Sequence, residues 1–361
     1  MKNSVLYIRT DANEVIATGH VMRCLTIAEE YRKKAGEVCF IVSDENSAKM
    51  IDRRRYNVIV TNTKWNSVDI ESEYKLLKHK IRRSDWLLID SYHIYSSYAA
   101  RIKQLLNVVV FDDMFSEKKI ADVIINYNVF YRRFDYLNRY KHEKCILLLG
   151  EKYVPLRKQF REIEPEINVR KYERPKILLM CGGADKPNLI YETLQYLKEN
   201  KPELFLQVDW KIVVGSFYSN IDQLNLLIQG YLNIELLCNV ENMAALMNKC
   251  DLCVTAASTV LYECCAMLLP TLFFVVSEDQ KYDAEVFSKD NMLLYCGNYM
   301  DGKKEALKRM EVVLSKIVKN REQQYKMKQM MKKFVDAKGA ERIVAALMGE
   351  KNELIYNEKK R

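Results

Sequence analysis

Short apolar runs alternate with amphipathic stretches along the chain. In the first half, Val5–Ile8, Glu37–Val42, Val58–Thr61, Trp86–Asp90, Val108–Phe111, Val123–Asn126 and Ile146–Leu149 read as strands. Helical spacing lies between them at Met22–Ala35, Ile70–Arg82 and Ser97–Leu106. Strands that are apolar almost throughout, and separated by helices, predict a parallel sheet covered on both faces. The second half repeats the scheme. Lys176–Met180, Asp209–Val214, Ile234–Leu237, Asp251–Thr255, Thr271–Val276 and Leu293–Cys296 are its strands, with a helix from Pro187 to Glu199. The charged segment Leu156–Pro175 contains Pro165 and Pro175 and reads as a linker. From Gly302 to Gly349 the pattern is helical with a break near Gly339, and the polar last residues are expected to fray.

The expected architecture is therefore α/β, with two Rossmann-like doubly wound domains and a helical C-terminus. The boundaries fall at 1–160, a linker 161–175, 176–330, and a helical tail 331–361. A ligand is expected at the carboxyl ends of the strands, in an interdomain cleft. Composition narrows this picture little: of 361 residues, 49% are hydrophobic and 29% charged, an ordinary globular balance. The net charge of +9 is weighted to the Lys-rich C-terminal third and to Lys359-Lys360-Arg361. It suits diphosphate-linked substrates, and no basic stripe interleaved with aromatics points to nucleic acid. No run approaches the ~20 apolar residues that span a bilayer, and no signal peptide is evident. A cytoplasmic protein is expected, its ten cysteines reduced.

Candidate chemistry gathers at strand ends. Arg9-Thr10-Asp11-Ala12-Asn13 follows the first strand, and Thr18-Gly19-His20-Val21-Met22-Arg23 opens the first helix. His20 is one of only four histidines, and at a helix N-terminus its imidazole tends to stay neutral, as a general base requires. The plain alternative is a surface or capping histidine. Asp11 either orients that imidazole, contacts a sugar hydroxyl, or is a turn residue. Cys181-Gly182-Gly183-Ala184-Asp185 can offer backbone N–H groups to a phosphate or a sugar oxygen, or form only a tight turn. Ser258 and Thr259 either cap a helix or bind a diphosphate, and Glu263, one turn on, can take two ribose hydroxyls or complete a capping pair. Neither a dinucleotide nor a P-loop fingerprint is present. Cys250, Cys253, Cys264 and Cys265 lack the spacing of a zinc site and read as buried apolar residues, and Asp112-Asp113 reads as a strand-end loop.

These pieces, in this order, resemble the pseudaminic acid biosynthesis nucleotide-sugar hydrolases. The likeness is carried by Arg9-Thr10-Asp11-Ala12, the run Gly19–Ala28, Asp90-Ser91-Tyr92, Asp112-Asp113, Asn126, Leu149–Arg157, Gly182–Asp185 and Asn242–Met247, and it extends to Gln280. That family is related to the MurG-type glycosyltransferases, so the resemblance implies a GT-B fold. It implies cleavage of UDP-2,4-diacetamido-2,4,6-trideoxy-β-L-altropyranose with inversion at the anomeric centre, without metal or cofactor, by a monomer. His20 would activate water. Asp11, Gly19, Arg23, Tyr92, Asp279 and Gln280 would face the sugar, and Gly182, Gly183, Asp185, Ser258, Thr259 and Glu263 would hold UDP. The tail would pack back across the first domain. Two positions depart from the family pattern: Ala17 replaces a glycine, and Asp279-Gln280 stands where Asn-Gln is usual. A GT-B glycosyltransferase using the same base on an acceptor hydroxyl is the competing expectation, and a non-catalytic nucleotide-sugar-binding module a third.

Overall fold

The computed structural model describes residues 4–13, 19–34, 36–94, 96–170, 173–215 and 217–350, and only the backbone of Asp279. Ala17, Thr18 and Lys359–Arg361 lie outside them. All thirteen expected strands form. Seven make one sheet: β1 (Leu6–Thr10), β2 (Val38–Val42), β3 (Asn57–Val60), β4 (Trp86–Asp90), β5 (Asn107–Phe111), β6 (Val123–Asn126) and β7 (Ile146–Leu149), in the order β3-β2-β1-β4-β5-β6-β7. Six make the other: β8 (Lys176–Met180), β9 (Asp209–Val214), β10 (Ile234–Cys238), β11 (Leu252–Ala256), β12 (Thr271–Val275) and β13 (Leu294–Asn298), in the order β10-β9-β8-β11-β12-β13. Every pairing in both sheets is parallel.

The order decides where a ligand can enter each sheet. In the first, the chain winds outward from β1 to β2 and β3, then returns to β4 on the other side of β1. Its crevice thus opens at the carboxyl ends of β1 and β4. In the second, the same reversal falls between β8 and β11. Near-continuous apolar sequence makes this possible: every residue of β1, β2, β11 and β12 is buried. Polar residues within such strands are therefore exceptions that need partners.

The chain divides into two compact units, residues 1–157 with 338–361, and residues 158–337. Residues 158–170 belong to the second: Phe160 is buried, the Ala244 amide donates to Gln159 Oε1 at 3.1 Å, and Lys328 Nζ donates to the Glu166 carbonyl at 2.9 Å. Among the described residues the C-terminal part forms three helices. Asn320 interrupts the pattern because its side chain accepts from the Gln323 amide and starts a new helix there, separating Lys303–Ile317 from Arg321–Phe334. The last helix, Gly339–Leu347, packs in the first unit against the helix Gly19–Lys34. Gly339 makes this approach possible, since a Cβ there would lie 2.1 Å from the Val154 carbonyl oxygen. Arg342 then donates to the Lys152 carbonyl at 2.9 Å.

Candidate active site

In the first unit the chemistry collects at the β1/β4 crevice. The described helix Gly19–Lys34 already includes the three residues before the expected Met22, and His20 among them. Asp90 ends β4 in register with Thr10 of β1, and its burial is almost complete. His20 Nδ1 lies 2.5 Å from Asp90 Oδ1. Burial alone would push the Asp90 carboxyl up, but the Arg23 guanidinium and then His20 hold it well below the usual carboxylate range. An ionised Asp90 can only accept, so Nδ1 carries the hydrogen, and in the neutral ring Nε2 holds the lone pair. Nε2 makes no hydrogen bond to the described residues, and the residue is 8% exposed.

Arg23, one helical turn beyond His20, has all five of its N–H groups engaged. Nε donates to Asp90 Oδ2 at 2.7 Å and Nη2 to Asp90 Oδ1 at 2.5 Å. Nη2 also reaches Asp113 Oδ2 at 2.7 Å, while Nη1 serves Asp113 Oδ1 at 3.2 Å and the Tyr127 hydroxyl at 2.8 Å. Its guanidinium carbon lies 4.1 Å from the Phe111 ring centroid. Expected among the substrate contacts, Arg23 has no donor left over for a ligand in this arrangement. Cys24 Sγ completes the set at 3.4 Å from Asp90 Oδ2. Tyr92, more than half exposed, meets the His20 ring edge-on at 4.7 Å between centroids and donates to Asp113 Oδ2 at 3.2 Å. Gly19 stands beside open space, for a Cβ there would meet nothing within 4 Å.

Asp11 is buried beneath this surface. One oxygen accepts from the Ser43 amide at 2.6 Å and the Ser43 hydroxyl at 2.5 Å, and the other from Arg9 Nη1 at 2.6 Å. Arg9 in turn pairs with Glu73, which accepts from the Tyr98 hydroxyl. The carboxylate of Asp11 is thus tied to protein groups that fix the β1 and β2 strand ends.

In the second unit, the loops after β8 and β11 flank the reversal point. Gly182 is exposed with φ of 61°, a left-handed conformation that favours glycine, and Gly183 is half-buried beside it. Asp185 is buried. Its two oxygens accept from the Leu189 and Ile190 amides at 2.8 and 2.9 Å, capping the helix Leu189–Asn200. Burial raises its carboxyl from 3.8 to about 6 against the pull of those amides. The folded state therefore holds that proton more tightly than the unfolded chain, and stability is lost as pH rises from about 4 to 6. Relative to Asp185→Asn, the wild-type unfolding free energy should fall by roughly 3 kcal/mol across that interval and then run level. Urea titrations of both proteins at several pH values check this, and parallel pH curves would refute it.

Ser258 is half-buried with its Oγ 3.3 Å from the Val260 amide; Thr259 is exposed, and Glu263 half-buried in the helix Val260–Ala266. Gln280 Oε1 accepts from the Val276 amide at 2.9 Å, and the Asp279 side chain lies outside the described residues. Cys250, Cys253, Cys264 and Cys265 are buried, and burial pushes the Cys250 thiol up to about 12. Among the described residues no group of three or more His, Cys, Asp or Glu side chains is arranged to hold a metal ion, and no helix is long and apolar enough to cross a membrane.

Sequence reasoning left Asp90 without a role and gave Asp113 only a loop. One signal was available: Asp90 ends the otherwise apolar β4, and Asp112-Asp113 directly follow β5, at the sheet end that carries His20.

With this geometry in hand, comparison with known proteins defines the class. Residues 177–343 match the glycosyltransferase family 28 C-terminal domain. Crystalline MurG of Acinetobacter baumannii superposes with a TM-score of 0.68 at 13% identity, over 96% of this chain and 99% of that one. The chain has the GT-B fold, and its second half is similar to glycosyltransferase family 28 enzymes. Two relatives are similar in sequence. Uncharacterized protein MJ1062 of Methanocaldococcus jannaschii is 29% identical over 283 residues, 76% of this chain and 56% of that protein, so the chain spans little more than half its length. The UDP-2,4-diacetamido-2,4,6-trideoxy-beta-L-altropyranose hydrolase of Campylobacter jejuni is 27% identical over 268 residues, 73% of this chain and 88% of that enzyme.

Proposed function

We propose that this chain hydrolyses a UDP-linked 2,4-diacetamido-2,4,6-trideoxy sugar with inversion, releasing UDP and the free sugar. The observation that carries the reading is the His20–Asp90 pair at the β1/β4 crevice, a base held in one tautomer with Nε2 left for a water. Similarity to the Campylobacter hydrolase supports the choice of substrate. In the proposed step, Nε2 takes a proton from water as the water oxygen bonds to the anomeric carbon. The bond from that carbon to the diphosphate oxygen breaks, and its electron pair leaves with UDP. The imidazolium next to ionised Asp90 then returns its proton to solvent.

Gly182 and Gly183 would present backbone N–H groups to the diphosphate, with Asp185 holding their loop. Ser258 and Thr259 would take phosphate oxygens and Glu263 the ribose. Tyr92, Gly19, Gln280 and Asp279 would face the sugar, and Tyr92 meets the His20 ring edge-on.

The test is to incubate the enzyme with the UDP-diacetamido sugar in ¹⁸O-water without acceptor, and to follow products by NMR and mass spectrometry. Free sugar of inverted configuration and UDP without label are expected, because the carbon–oxygen bond breaks. Labelled UDP would show attack at phosphorus and remove His20 from the anomeric centre. UDP release only after an acceptor alcohol is added would make the chain a glycosyltransferase.

A further inference from the structure

The groups around His20 close into a ring. His20 Nδ1 meets Asp90, Asp90 is gripped through both oxygens by Arg23, and Arg23 grips Asp113 through both terminal nitrogens. Asp113 accepts from Tyr92, whose ring returns to the edge of His20. The ionisable groups come from every element packed there: His20, Arg23 and Cys24 from the helix, Asp90 and Tyr92 from β4 and its loop, Asp113 from the loop after β5, and Tyr127 after β6. Asp112 turns away, accepting from the Phe115 amide at 3.1 Å and the Tyr136 hydroxyl at 3.0 Å.

The formal charges are unequal while His20 is neutral, with two carboxylates against one guanidinium. Protonating the imidazole brings the ring to two against two. In a site this buried, an unbalanced charge is costly and a nearby counter-charge acts with little screening. We propose that Asp113 is a positioning residue that, through Arg23, makes the protonated state of His20 the electrically balanced one. Without it, Arg23 would neutralise Asp90 and leave the imidazolium uncompensated. With it, the positive charge of Arg23 is shared between two carboxylates, and Asp90 stays available to His20. The inference deepens the proposed hydrolase reading and rests on His20 being the base.

Asp113→Asn tests it in the full chain. The acid limb of the kcat/KM profile should move to lower pH, and kcat on the plateau should fall roughly tenfold, as for a weakened base. Affinity for UDP should stay within about twofold. In the substrate-free protein, the His20 ring signals followed by NMR should titrate at lower pH, and Asp113→Glu should bring both profiles back toward wild type. Unmoved profiles in a folded Asp113→Asn protein would overturn the proposal. If Asp113→Asn does not fold, Asp113→Ser is the second neutral variant; failure of both to fold would make Asp113 a folding residue and sink the idea. A shifted ring titration in a protein that releases no UDP from the sugar nucleotide would retain the coupling and discard the hydrolase reading.

Discussion

Replacing His20 with asparagine is expected to lower turnover of the UDP-sugar by a factor of about 10²–10⁴, the usual contribution of a positioned general base. Asparagine keeps a polar side chain of similar reach, so Asp90 retains a donor and the crevice retains its shape. What disappears is the basic lone pair at Nε2. Affinity for UDP, measured by calorimetry, should stay within about threefold, because the groups proposed to hold it belong to the loops after β8 and β11. Asp90→Asn should approach the same loss by another route. Its amide can offer N–H to Nδ1, which reverses the tautomer and puts the hydrogen on Nε2, where the lone pair is needed. Turnover of either variant within threefold of wild type would remove the dyad from the mechanism.

The largest effect on stability is expected at Arg9, which contacts no proposed ligand. It is completely buried in β1, and Asp11, Glu73 and Tyr98 around it are buried nearly as deeply. The Glu73 carboxyl is pushed up by burial, with Arg9 pulling in the opposite direction. Arg9→Met keeps much of the volume and leaves two carboxyl groups without their cation, a change that typically costs about 3–5 kcal/mol. Urea unfolding should show the loss as a lower midpoint at nearly constant slope. Adding Glu73→Leu should recover part of it, since one unpaired acid is then gone. A loss under about 1 kcal/mol would show that the cluster relaxes or admits water.

Where burial dictates pattern, the sequence could be read closely. Leu252–Ala256 and Thr271–Val275 are buried throughout, so their apolar runs announce central strands even where Thr255 and Thr271 interrupt them. Helix limits were less legible. Ile70–Leu77 stops five residues before the expected Arg82, and Leu189–Asn200 starts two after the expected Pro187, where Asp185 closes the helix through Leu189 and Ile190. Of the site, His20 stood out by its place after the first strand. Its partner did not, because Asp90 lies 70 residues away and the pairing of β1 with β4 alone brings them together. Asp11, Arg23 and Asp185 share a related difficulty. A polar residue near a strand end or in the helix that follows reads alike whether it meets a ligand or ties two segments together, and here all three bind protein groups.

The return of the last helix to the first unit has a consequence for how the protein is made. The ribosome emits all of Lys158–Ala337, enough to build the second sheet with its helices, before Gly339–Leu347 appears. Until then the helix Gly19–Lys34 lacks its packing partner Gly339–Leu347, in which Ala340, Ile343, Val344 and Leu347 are buried. The unit that carries His20 is therefore completed only after the second unit has been synthesised. A stop codon shortly before Gly339 spares every residue of the second sheet, yet leaves the unit that holds His20 unfinished.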